Sequence, residues 1–467
     1  MARSQDMPAV PSRRAAVALL ATLVTIVLSG CTVVVAGRPI SLQPPTGDVD
    51  AGEVVVEGAT DDEIDVLARN ALADLETFWT DQMPDVFGQP FEPLEGGYFS
   101  VDPGDPGAFP DGIGCGTDVA EVEGNAFYCS APDAPNSDSI SYDRTFLTEL
   151  AEGYGRFIPA LVMAHEFGHA VQARVGYPDF SISVETQADC FAGAWTSWVA
   201  DGEAEFSTIR APELDELLRG YVLLRDPPGT SATVDAAHGS FFDRVSAFQE
   251  GFESGPTACR DNFTAQRPYT QGRFLDPQDQ ASQGNASFDE AQRIAGTALP
   301  EFWTRAFSEV FGETFDPPAL EPFAGDPPAC APDDERDLVY CPDDNLVAYD
   351  QRDLAGPVYE QFFDYAVVTA LSLPYAQAAR DQLGLSGDDA DAVRSAVCLT
   401  GWFSAEFRDG ELGATISPGD LDESVQFLLE YGRDPAVLPE TQLSGFQLVD
   451  LFRNGFFQGP SACDVGV

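Results

Sequence analysis

The chain repeats itself, and this limits its architecture more than any other feature. Phe78-Trp79-Thr80 followed by Val86-Phe87-Gly88 returns as Phe302-Trp303-Thr304 followed by Val310-Phe311-Gly312. Phe127-Tyr128-Cys129 and Tyr142-Asp143 return as Val339-Tyr340-Cys341 and Tyr349-Asp350. Cys190, Trp195 and Asp201-Gly202 answer to Cys398, Trp402 and Asp409-Gly410. Phe248, Gly251-Phe252, Gly255-Pro256 and Cys259 match Phe452, Gly455-Phe456, Gly459-Pro460 and Cys463 without a gap. The order holds while the loops shorten. Two copies of one domain are expected, residues 61–265 and 286–467, joined by a polar linker over 266–285.

A duplicated fold needs apolar material for both copies. With 44% hydrophobic residues and 33 Phe in 467 residues, the chain has enough for sizeable cores. Its charge is lopsided. The 24 basic residues are all arginine and face 77 acidic ones, a formal net charge of −53. Such a surface excludes a nucleic-acid binder that works by neutralising phosphates. It reads as a well-solvated exterior.

The first 30 residues read as a lipoprotein signal peptide. Arg13 and Arg14 precede an apolar stretch from Ala15 to Leu28, and Leu28-Ser29-Gly30-Cys31 resembles a bacterial lipobox. Cleavage before Cys31 and lipidation of its thiol would leave the protein at the cell membrane, facing the extracytoplasmic side. Residues 31–60, with Pro44-Pro45 and Gly47, then serve as a tether. The apolar stretch is shorter than the ~20 residues a spanning helix needs. Thr32-Val33-Val34-Val35-Ala36-Gly37 prolongs it, so an uncleaved membrane span is the alternative.

Eight cysteines follow Cys31, and an even number in an exported chain favours disulfides. Each copy holds four in the same order. The economical pairing is Cys115–Cys129 with Cys330–Cys341, and Cys190–Cys259 with Cys398–Cys463. Loop-closure arithmetic gives roughly 3 kcal/mol for each short link and roughly 4 for each long one.

The chemistry lies in the first copy. His165-Glu166-Phe167-Gly168-His169 falls in a helical pattern from about Ile158 to Arg174, with Pro159 near its start and Gly176 after its end. Residues four apart share a helix face, so both imidazoles can reach one metal ion. Glu166 is placed to reach a water on that ion. Two histidines leave a zinc site one protein ligand short. Glu185 is expected to supply it from a second helix running through Trp195, after a loop that includes Gly176, Tyr177-Pro178 and Ser181 to Ser183. Asp189, four residues on, would share its face and orient a ligand imidazole.

These residues resemble a family. His165-Glu166-x-Gly168-His169-x-Val171-Gln172, followed by Glu185-x-Gln187-Ala188-Asp189-Cys190-x-Ala192-Gly193-x-Trp195, is similar to the bacterial neutral zinc metallopeptidases, whose zinc-site order is that of the gluzincins. The likeness continues through His238-Gly239-Ser240, Arg244, Phe248, Gly251 and Cys259. It implies one Zn²⁺ held by His165, His169 and Glu185, with Glu166 as general base and Asp189 behind a ligand. It implies peptide-bond hydrolysis by a zinc-activated water on a peptide or protein substrate.

The second copy lacks this set. Leu371, Ser372 and Tyr375 fall opposite His165, Glu166 and His169, and Val393 and Val397 fall opposite Glu185 and Asp189. It is expected to be a degenerate, metal-free domain used for packing or as a substrate or partner contact surface. His238 is the remaining histidine. It is either a catalytic donor to the oxyanion of the transition state or a helix-start histidine satisfied by backbone groups. Arg244 is expected to pair with an acidic residue in the fold. The fold class expected is mainly α, an α+β arrangement in which short strands such as Ser139 to Tyr142 and Leu346 to Tyr349 precede each core helix: a zincin-like domain, then its degenerate copy. An enzyme is the first reading. The second is an acidic cell-surface binding or scaffold protein whose zinc is structural or vestigial.

Overall fold

The structure is a computed structural model. It describes residues 33–35, 38–40, 47–50 and 52–467, apart from 333–334, 386–389, 409, 411, 413–414 and 440–441. The expected signal peptide and the expected lipidation site Cys31 lie outside the described residues. Among the described residues, no helix is long and apolar enough to cross a membrane.

Short strands β1 (Val33–Val35) and β2 (Arg38–Ile40) pair antiparallel ahead of the first copy. That copy opens with β3 (Val56–Glu57) and α1 (Glu63–Phe87), whose N-cap Asp62 accepts from the Asp65 N–H. Strands β4 (Gly97–Val101), β5 (Ala126–Cys129) and β6 (Ser139–Asp143) complete a four-stranded sheet in the order β3-β4-β6-β5. Then come α2 (Arg144–Tyr154), α3 (Ile158–Val175), α4 (Ser181–Ala200), α5 (Ala211–Gly220) and α6 (Phe241–Asn262). The expected tether joins the fold before residue 60. Val49, Val54 and Val56 are buried, and Val56 pairs with Tyr98. The linker is also partly structured. It carries the short helix α7 (Pro277–Ser282), and the Thr270 and Gln271 N–H groups donate to the Asp243 carboxylate.

The second copy repeats the order. It has α8 (Phe288–Ala306), a three-stranded sheet of β7 (Ala319–Phe323), β9 (Leu346–Asp350) and β8 (Leu338–Cys341), then α9 (Gly356–Phe362), α10 (Asp364–Gln382), α11 (Ala390–Arg408), α12 (Asp420–Tyr431) and α13 (Gly445–Gln458). The architecture is mainly α with short strands, and all four disulfides join the expected partners. α10 runs on through Pro374.

Each copy is pinned by a close helix crossing. A Cβ on Gly193 would stand 1.9 Å from the Phe248 carbonyl oxygen, and one on Gly251 would stand 1.8 Å from that of Cys190. Only glycine lets α4 and α6 approach this closely. α11 and α13 do the same, with Gly401 at 1.9 Å from the Phe452 oxygen and Gly455 at 1.7 Å from that of Cys398. The duplicated glycines therefore encode one packing solution used twice.

The two copies share one apolar core. Their contacts are reciprocal. Asp422 of α12 accepts from the Phe242 N–H at the start of α6, and Asp215 of α5 accepts from the Phe446 N–H at the start of α13. Arg225 pairs with Asp422, and Arg433 pairs with Asp215. Phe242 packs on Phe452 and Phe456, while Phe446 packs on Phe248 and Phe252. In repeat numbering each contact is the mirror of the other, the pattern of an isologous two-fold interface. Packing between the copies is thus one task of the second.

Candidate metal centre

α3 starts with Pro159 near its N-terminus, where the missing N–H costs nothing. Its 18 residues carry His165 and His169 on one side. α4 begins at Ser181, earlier than the sequence pattern indicates, so the connecting loop covers only residues 176–180. This correction follows from Phe180, whose carbonyl accepts from the Ser183 and Val184 N–H groups and starts the helix without a side-chain cap. Gly168 sets the distance between the two helices. A Cβ there would lie 2.9 Å from the Ala188 Cα. A larger residue between the histidines would push α4 outward.

This approach brings three donors together. His165 Nε2 and His169 Nε2 are 3.2 Å apart, and Glu185 Oε2 lies 3.4 Å from the first and 3.7 Å from the second. The other nitrogen of each ring is taken. His165 Nδ1 is 2.9 Å from Asp189 Oδ1, and His169 Nδ1 is 2.9 Å from Gln172 Oε1. Both acceptors require an N–H at Nδ1, which leaves the two Nε2 lone pairs facing each other and a carboxylate. Such a donor set is satisfied by a cation and suits the borderline-soft Zn²⁺. The residues present fit a zinc ion.

Electrostatics agree. Burial opposes charge on His165, yet the Asp189 carboxylate outweighs it and the ring is pushed up to about 10. Burial likewise works against a charged Glu185, but the two rings beside it hold it well below the usual carboxylate range. The pocket is built to hold positive charge.

Asp189 is buried and held in turn. Arg244 of α6 grips it with two parallel bonds, Nε to Oδ2 and Nη2 to Oδ1, each 2.8 Å. Such bidentate pairing fixes orientation as well as charge. The arginine therefore has the acidic partner that the sequence suggested. The Cys190–Cys259 disulfide ties α4 to α6 one residue after Asp189. Gln172, in turn, donates to the Val184 carbonyl at 2.7 Å and to Gln187 Oε1 at 3.0 Å. Its place behind His169 was not recognisable from sequence, although it stands three residues on, within one helical turn.

Glu166 is buried beside the histidines. The Tyr128 N–H on β5 donates to its Oε2 at 2.7 Å. Because β5 ends the sheet, this amide has no strand partner, and the carboxylate satisfies it. The strand itself is anchored by the Cys115–Cys129 disulfide and by the Tyr128 hydroxyl, which donates to Asp138, an acid that Arg174 of α3 also binds. Burial pushes the Glu166 carboxyl above its ordinary value, against the two nearby rings.

These groups line a cleft of about 620 Å³ that also includes Asn125, Phe127, Tyr177, Arg225 and His238. His238 is half exposed on its wall. Its backbone N–H donates to Asp226 Oδ2 at 2.7 Å, and its Nδ1 stands 3.2 Å from Oδ1 of the same residue. It shares the cleft with Glu166 and the histidines.

The chain is 25% identical over 177 residues to the uncharacterized protein Rv2575 of Mycobacterium tuberculosis, covering 33% of this chain and 59% of that protein. It is also 25% identical over 252 residues to the uncharacterized protein YpfJ of Escherichia coli K12, covering 48% of this chain and 77% of that one. The chain thus spans less than two thirds of the mycobacterial relative. No solved structure matches it. The family model described as "Putative neutral zinc metallopeptidase" matches residues 11–263, which is more than half the chain, and the protein belongs to that family.

Proposed function

We propose that the protein is a membrane-anchored, extracytoplasmic zinc metallopeptidase that hydrolyses peptide bonds in peptides or envelope proteins. One observation carries the reading: two imidazole nitrogens and a carboxylate converge with a further buried glutamate, not one of the three, at their side. A structural zinc site has no need of a base next to its ligands. Bound at His165, His169 and Glu185, a single zinc ion supplies Lewis acidity toward a water and a carbonyl.

The chain's own groups do the rest. Glu166 takes the proton of the attacking water and hands it to the leaving amine; a carboxyl raised by burial is better matched to both steps. The Tyr128 N–H keeps its Oε2 turned to the sheet. An extended substrate has a place beside β5, whose residues Ala126, Phe127 and Tyr128 line the cleft. His238, held by Asp226, is offered as a donor to the developing oxyanion. Lipid on Cys31 supplies the anchor, and the four disulfides suit a compartment that is oxidising.

Protease assays on wild type and Glu166→Gln, with and without a chelator, test the reading. Chelator-sensitive cleavage lost in the variant is expected. Equal cleavage by both proteins would leave the binding-protein reading, in which the zinc is structural and the site-less half represents the whole.

A further inference from the structure

A second cluster of metal-type donors lies away from the cleft, in the half that has no histidine. Asp364 opens α10, and Asp420 and Glu423 sit in the first turn of α12. One oxygen of each lies within 4.8 Å of the others. They are exposed by only 6%, 4% and 7%. Among the described residues no arginine or histidine pairs with any of them, and Asp279 adds further negative charge to Asp364 and Asp420. Three carboxylates buried without a counter-charge are costly.

Their hydrogen bonds do not resolve this. Glu423 Oε2 accepts from the Tyr365 N–H, and Asp420 Oδ2 accepts from the Ser417 N–H. Asp420 Oδ1 remains fully buried with no partner. The side-chain amide of Asn285, from the linker, donates to Glu423 Oε1 at 3.0 Å and to Asp364 Oδ1 at 3.2 Å. These bonds leave Asp420 Oδ1 without a partner. A cation among the three carboxylates gives that oxygen a partner and supplies the missing counter-charge.

We propose that Asp364, Asp420 and Glu423 form a calcium site that ties α10 to α12 of the second half. The donors are all hard carboxylate oxygens, which suits Ca²⁺ and not the zinc of the first half. Mg²⁺ fits less well, since it demands near-ideal octahedral geometry and keeps its waters. The alternative is that protons neutralise the cluster. Burial does push all three carboxyls up, Asp364 to about 6. Asp420 and Glu423 flank Asp422, which accepts from the Phe242 N–H at the start of α6, so the site also steadies the joint between the halves.

The test uses the purified protein, freed of divalent ions and resupplied with one equivalent of zinc. Calcium is added at about neutral pH while melting temperature and calorimetric binding are followed. One calcium equivalent should bind, and Tm should rise by about 3–5 °C at a hundredfold excess over Kd. Asp420→Asn should abolish the saturable event. The proposal is overturned if calcium gives no saturable binding, if Mg²⁺ gives an equal or larger shift, or if Asp420→Asn responds to calcium as wild type does. Weak binding spread over the acidic surface would persist in Asp420→Asn and so counts against it.

Discussion

The Tyr128 N–H donates to Glu166 Oε2 across 2.7 Å, so the proposed base is fixed by the edge of a sheet and not by its own helix alone. A glutamine at this position can still accept that bond with its amide oxygen. Glu166→Gln should therefore fold, melt and bind zinc as wild type does, while turnover falls by about 10²–10⁴-fold. Metal analysis and a peptidase assay on the same sample check this.

His169→Ala should lose zinc outright, because it removes one of three converging donors. Gln172→Ala should behave differently. It keeps all three ligands but frees the His169 ring, so zinc affinity should drop by about 10–100-fold with the fold unaltered. Competition with a zinc-sensitive dye separates the two outcomes.

Asp189→Ala should be the most destabilising change near the site, by about 3–5 kcal/mol, since it strands the buried Arg244 guanidinium. Adding Arg244→Met should recover much of that loss in urea unfolding without restoring zinc affinity. A simple loss of packing at Asp189 would show no such recovery.

Gly251→Ala and Gly455→Ala put a methyl into a carbonyl 1.8 and 1.7 Å away in equivalent crossings. Each should cost about 3 kcal/mol or more. Their effects on zinc should part company. The first displaces α4, which presents Glu185 and Asp189, and should weaken metal binding. The second distorts only the half that lacks the zinc ligands, so its folded fraction should retain one zinc.

Stability should also depend on pH through Asp364, Asp420 and Glu423. Burial, with Asp279 and Asp422 as like-charged neighbours, raises their folded values above those of the unfolded chain. The folded state then holds more protons, so this contribution is complete below about pH 4 and is lost as pH rises through about 6 and beyond. In ion-free buffer, urea unfolding should show wild type losing roughly 2 kcal/mol or more between about pH 5 and pH 8. Asp420→Asn should flatten that slope, and so should millimolar calcium.

What the sequence disclosed has a physical logic. His165, Glu166 and His169 stand within one helical turn, so their relation is local. Gly176 and Pro159 mark the ends of their helix. Glu185 and Asp189 could be placed because a short return between helices leaves few alternatives. The disulfides followed from two copies having to share one pairing. Tyr128 was hidden, since its contribution is a backbone amide whose availability depends on β5 being outermost. Gln172 carried no charge to mark it. The start of α4 at Ser181 looked like a loop because serines compete for the backbone in any conformation. Asp364, Asp420 and Glu423 form no motif, and among 77 acidic residues nothing in the sequence distinguishes three that the fold buries together.

The exchanged carboxylates, Asp215 at the start of α13 and Asp422 at the start of α6, have a historical consequence. Two identical subunits meeting across such an interface would be encoded by one gene, and any change to a ligand would strike both at once. Fusion into a single chain separates their fates. One partner can then trade its imidazoles for leucine and tyrosine while still offering the carboxylate its neighbour needs. Loss of chemistry in one half and retention of its surface are, on this geometry, two sides of the same event.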